Sequence, residues 1–199
     1  MAASTASPPA RPGYVTLDAF YQMDDLPEKG VELVDGEVVV TPPADVDHGY
    51  LERALQRALD AYATAHQLGE VFGDGWGYEL PVPGRPDTYR TPDVSFIRAD
   101  RVPNRRRGRP YRLAPDLAVE VRSESDTPKV LRGKLADYLE SGTRLVWVID
   151  GDARTAAVYE QGSPDAPARV LGEGDALDGG DVLPGFTLPL ARLFSELDG

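Results

Sequence analysis

The 199-residue chain contains no cysteine. Disulfides, thiolate zinc centres and cysteine nucleophiles are therefore excluded, and nothing in the chain calls for an oxidising compartment. Long apolar runs are missing too, so no stretch approaches membrane-spanning length, and the Ala-, Ser- and Pro-rich start lacks the basic and apolar regions of a secretory signal. These absences lead to an expectation of a cytoplasmic protein with no membrane partner. Positive charge is in deficit: the formal net charge is -12, which counts against non-specific attraction to nucleic acid, where Lys and Arg displace counterions from phosphates. The glycines around Gly73, Gly75 and Gly77 are not followed by the Lys-Ser/Thr pair of a phosphate-binding loop, and no Ser-His-Asp arrangement can be argued.

What is present is the composition of a folding globular domain, 41% hydrophobic and 27% charged. Residues 1–13 have almost nothing to bury and are expected to form a flexible tail, leaving 14–199 as a single domain. Val31–Val34 and Glu37–Val40 flank Asp35-Gly36, the dipeptide of a two-residue hairpin turn. Leu51, Leu55, Ala58, Leu59 and Tyr62 recur at helical spacing between about Asp47 and His66, and short extended pieces follow around Glu70–Phe72 and Trp76–Leu80. A strand opened by Pro92-Asp93 and another closed by Glu120-Val121 bracket an arginine-rich loop containing Arg101, Arg105, Arg106, Arg107, Arg109 and Arg112. That run either steers a phosphate backbone or is a solvated loop balancing an acidic molecule.

Next come a helix from about Pro128 to Glu140, closed by Ser141-Gly142, and a strand Leu145–Asp150. A further strand, Thr155–Tyr159, pairs with it through Gly151-Asp152, and Leu183–Phe194 is read as returning to the domain surface. Strands mixed with two main helices give an α/β (α+β) class with a mixed central sheet.

Period-two alternation sets Ala118, Glu120 and Arg122 on one strand face against Leu117, Val119 and Val121, and lets Asp93 share a face with Ser95 and Ile97. Adjacent strands lie about 5 Å apart, close enough for Asp93 and Glu120 to hold one hard cation such as Mg²⁺ or Mn²⁺, with water and substrate phosphate completing the shell. Lys134 flanks the apolar stripe formed by Leu131, Leu135, Tyr138 and Leu139, and can snorkel towards the sheet edge to neutralise charge developing on a phosphate. Tyr138 and Trp147 read simply as core. His66, at the helix end, favours the helix dipole.

Pro-Asp followed by a strand ending in Glu-x-Lys is the signature of the PD-(D/E)XK nuclease superfamily, which these residues resemble. Glu32–Glu37, His48, Pro92–Ser95, Pro115–Val121, Lys134–Leu139, Val146–Asp150 and the ending from Leu183 to Phe194 also resemble a bacterial family of restriction-endonuclease-like proteins once catalogued as a domain of unknown function. The resemblance spans about residues 14–196 and implies a restriction-endonuclease-like core carrying an N-terminal β-hairpin. It further implies a metal-dependent endonuclease acting on DNA, with Asp93 and Glu120 as metal ligands and Lys134 as the lysine moved from strand to helix. Glu32 enters as a third acidic group or a solvated hairpin residue, and His48 as a catalytic group or a hydrogen-bond donor near the helix start.

The chain departs from the pattern at Arg122, which replaces the strand lysine and stays protonated. It can bind phosphate, but proton abstraction then falls to water activated by the metal or to Lys134. Two other readings stand beside the nuclease: a catalytically inactive module that keeps the fold to bind protein or nucleic acid, and a glycosidase using the same two carboxylates without metal. Cutting two strands implies a homodimer, by analogy with the superfamily alone.

Overall fold

The computed structural model describes residues 11–27, 29–104 and 110–198. Most of the expected flexible tail, and Arg105, Arg106, Arg107 and Arg109 of the arginine loop, lie outside the described residues.

After a one-turn helix α1 (Leu17–Phe20), strands β1 (Val31–Val34) and β2 (Glu37–Val40) form the expected hairpin. Asp35 and Gly36 both have positive φ, 48° and 77°, as a two-residue turn requires. A side chain at Gly36 would also strike the Tyr14 ring, so only glycine fits there. Helix α2 (Val46–His66) begins behind Asp45, whose carboxylate accepts the His48 N–H. Strands β3 (Gly69–Phe72), β4 (Tyr78–Glu79), β5 (Tyr89–Arg90), β6 (Val94–Arg98) and β7 (Leu117–Val121) follow. Helix α3 (Pro128–Ser141) starts with Thr127 as cap and Pro128 in its first turn, and ends at Gly142. Beyond it lie β8 (Leu145–Asp150), β9 (Thr155–Glu160), β10 (Arg169–Gly172), β11 (Ala176–Asp178), β12 (Thr187–Pro189) and α4 (Leu190–Phe194).

The central sheet has six strands in the order β10-β9-β8-β7-β6-β3. It is mixed: β7 and β8 are parallel, joined across α3, and the other pairings are antiparallel. One face carries Val94, Phe96, Leu117, Val119, Trp147 and Ile149, packed under Leu51, Leu55, Leu59 and Ala63 of α2. The opposite face carries Ile97, Ala118, Val146 and Val148, packed under Leu135, Tyr138 and Leu139 of α3. Each such fully buried side chain contributes about 1.5–3 kcal/mol, so both helices are fixed hydrophobically before any polar contact is considered. Among the described residues no helix is long and apolar enough to cross a membrane.

Three features differ from the reading of the sequence. The N-terminal hairpin is half of a second, four-stranded sheet of order β2-β1-β5-β4, whose two-residue strands β4 and β5 are too short to leave a periodic signal. The β8–β9 connection is longer than a two-residue turn, with Arg154 in the left-handed region at its end. The segment Leu183–Phe194 does not run along the surface: Leu183, Phe186, Leu190, Leu193 and Phe194 are buried in the α2-side core, where the β11–β12 hairpin folds them in. Pro184 and Gly185 form an exposed turn, but the apolar side chains on either side of it are buried.

Candidate active site

The β6–β7 register pairs Val94 with Val119 and Ser95 with Ala118, so Asp93 and Glu120 are the next opposed pair, where the strands end. Asp93 stands one residue before its strand, and there its Oδ2 accepts the Val121 N–H at 2.6 Å. The same oxygen lies 3.3 Å from His48 Nε2, which comes from the first turn of α2. Glu120 lies on the α3 face, where Lys134 Nζ donates to its Oε2 at 2.6 Å and the Tyr138 hydroxyl donates to its Oε1 at 2.7 Å. Lys134 and Tyr138 are one helical turn apart, so one docked helix fixes both oxygens of the carboxylate.

The electrostatics follow from burial. Glu120 is 3% exposed, and loss of water raises its pKa to about 7; Lys134 offsets part of this, while Asp93 and Glu32 add to it. Burial alone would pull the Lys134 ammonium down, but Glu120, Glu32 and Asp126 crowd it and hold its pKa above the usual lysine value. Lys134 is therefore held in its charged form by the carboxylates around it. His48, 8% exposed, behaves similarly: burial disfavours its charge, but the hydrogen bond and charge of Asp93 prevail and raise its pKa.

Glu32 joins the neighbourhood through a buried ion-pair chain. Its Oε2 accepts from Arg90 at 2.6 Å and its Oε1 from the Thr91 N–H at 3.0 Å, while Arg90 Nε donates to Asp137 of α3 at 2.8 Å. Glu32 is thus neither solvated nor free, and it ties the second sheet to the helix that carries Lys134. Arg122 is placed apart from the others. Its guanidinium pairs with Asp150 at the end of β8 and lines an adjoining hollow, not the main cleft.

That cleft, about 1210 Å³, is walled by Glu32, Asp93, His48 and Lys134, with Glu52 and Asp126 beside them. Glu52 of α2 accepts the Asp74 N–H at 3.2 Å, and burial raises its pKa. Reading the sequence missed Arg90, Asp126, Glu52 and the polar role of Tyr138. Only Tyr138 left a usable signal, its four-residue spacing from Lys134; Arg90 sits in a strand whose pairing no pattern reveals.

Among the described residues no three or more His, Asp or Glu side chains converge as a cage for a metal ion. A hard divalent cation does not require one, since it binds through one or two carboxylates and keeps water and phosphate in its shell. Asp93 and Glu120 fit that role by donor chemistry. They are neighbouring carboxylates at the paired strand ends, and burial together with the adjoining negative charge raises the pKa of Glu120 despite Lys134.

A mixed sheet with a helix on each face and paired acidic residues at the ends of adjacent strands defines a restriction-endonuclease-like fold. The chain is similar to the crystal structure of "a putative nuclease belonging to DUF820" from Anabaena variabilis, with a TM-score of 0.78 and 21% identity over 92% of this chain and 99% of that one. Residues 17–191 match the Uma2 family, described as "Putative restriction endonuclease", and the chain belongs to that family. No curated protein matches it.

Proposed function

We propose that this protein is a divalent-metal-dependent endonuclease that hydrolyses phosphodiester bonds in DNA, with Asp93 and Glu120 as the residues that would hold Mg²⁺ or Mn²⁺. The observation that carries this reading is that Asp93 and Lys134 line one cleft, with the buried Glu120 directly behind Lys134 Nζ, the three coming from the ends of β6 and β7 and from α3. A bound cation there would supply an acidified water as nucleophile and neutralise charge on the phosphate. The chain's own residues do the rest. Val121 N–H and His48 hold Asp93 in place, and Tyr138 fixes Glu120. Lys134, held in its charged form by the carboxylates around it, would stabilise the negative charge that grows on the phosphoryl oxygens. Arg122, outside the cleft wall, is assigned to the DNA backbone rather than to proton transfer. Cutting of both strands would require a homodimer, which sedimentation of the protein with and without duplex DNA tests.

An inactive binding module is the competing reading, favoured by the missing strand lysine and the acidic cleft. Metal binding separates the two. Because burial raises the folded-state pKa of Glu120, its contribution to stability is present below the unfolded carboxyl value and is lost as pH rises through about 7. A divalent cation would offset that loss only where Glu120 is ionised. The expected result is a rise in melting temperature with saturating Mn²⁺ at pH 8 that shrinks markedly at pH 6 and disappears in Glu120→Gln. No shift at either pH would favour the inactive module.

A further inference from the structure

We infer that Trp76 is a stacking subsite for an unpaired nucleobase of the substrate, an assignment that rests on the nuclease reading and adds a preference for single-stranded or frayed DNA. Trp76 is 38% exposed, although its ring lies nearly parallel on Phe72, with centroids 4.6 Å apart, and Tyr111 stands 5.6 Å away. The indole is thus braced from below and open on part of its surface, the form of a platform.

Its loop is held in place. Asp74 is tied to Lys29 by a 2.6 Å ion pair and to Glu52 through its N–H, and Gly77 lies so close to the Tyr89 hydroxyl that no side chain fits there. The hollow lined by Trp76 shares Lys29, Glu52 and Asp74 with the main cleft, so a strand whose phosphate lies at Asp93 and Lys134 can extend towards the indole.

Electrostatics make such a platform necessary. The acidic residues of the cleft wall, with Glu124 among them, outnumber its basic residues Lys29, Lys134 and His48, and the chain as a whole has a net charge of -12. Counterion release, the usual source of affinity for a polyanion, is weak on such a surface. Base stacking is insensitive to that charge balance and accepts any base, because every base has a π face.

The test uses the full chain in calcium, which occupies oxygen sites, with three probes: a short oligodeoxyadenylate, the corresponding abasic strand and a blunt duplex. Trp147, the other tryptophan, is fully buried, so ligand-dependent quenching of indole emission reports on Trp76. The expected result is quenching by oligodeoxyadenylate and none by the abasic strand. Trp76→Leu, which retains apolar bulk over Phe72, should bind oligodeoxyadenylate roughly tenfold more weakly while its duplex affinity is unchanged. Trp76→Tyr should restore most of the loss. Binding of oligodeoxyadenylate without quenching, or equal binding by Trp76→Leu, overturns the subsite and leaves the nuclease reading standing. A wild-type protein that binds none of the probes and cleaves no DNA overturns both.

Discussion

Glu120→Gln and Asp93→Asn should each reduce metal-dependent nicking of supercoiled plasmid by at least ~10²-fold without unfolding the protein. Both replacements keep the shape of the side chain. The introduced glutamine amide can still accept from the Tyr138 hydroxyl, and the introduced asparagine amide can still accept the Val121 N–H, so the strand ends stay in register. What each removes is half of the negative charge available to a divalent cation in the cleft. Circular dichroism and a urea melt establish that the variants are folded. Wild-type nicking rates in either folded variant, at limiting metal, would defeat the assignment of these two residues.

The second large effect concerns stability. Arg90→Met should cost about 3–5 kcal/mol, the usual consequence of removing one member of a buried ion-pair network. Arg90 is 4% exposed, and its guanidinium donates to both Glu32 and Asp137, themselves almost completely buried. Without it, among the described residues, Glu32 keeps only the Thr91 N–H as a hydrogen-bond donor, and Asp137 keeps only Arg85. Adding Glu32→Gln should recover part of the loss, because an uncharged amide is less costly to leave there than a carboxylate. A loss below about 1 kcal/mol in chemical denaturation would show that the network is dispensable for the fold.

The strands bearing Asp93 and Glu120 were legible because a strand buried on both faces leaves a short, nearly continuous apolar run, as residues 94–97 and Leu117–Val121 do. The hairpin at Asp35-Gly36 was legible because few dipeptides tolerate two positive φ angles. The spacing put Lys134 at the flank of its helix's apolar stripe, but the carboxylates of Glu120, Glu32 and Asp126 that surround it come from elsewhere in the chain and left no sequence signal. Arg90, Glu52 and Asp126 were not legible, since each gains its meaning from partners brought together by tertiary packing. The burial of Leu183–Phe194 escaped notice for a related reason: the alternation of buried Phe186, Leu188 and Leu190 with exposed Thr187 and Pro189 is short and interrupted by proline, so it reads as a turn-rich segment.

The positive charge opposite Glu120 is carried by α3, whereas both acidic groups are carried by the sheet. Strand pairing alone therefore cannot assemble the proposed centre, which requires the helix seated on the β7–β8 surface. Any state with the sheet intact and α3 detached would leave Glu120 without its counterion, and the proposed cleavage would be lost before the protein as a whole lost its structure.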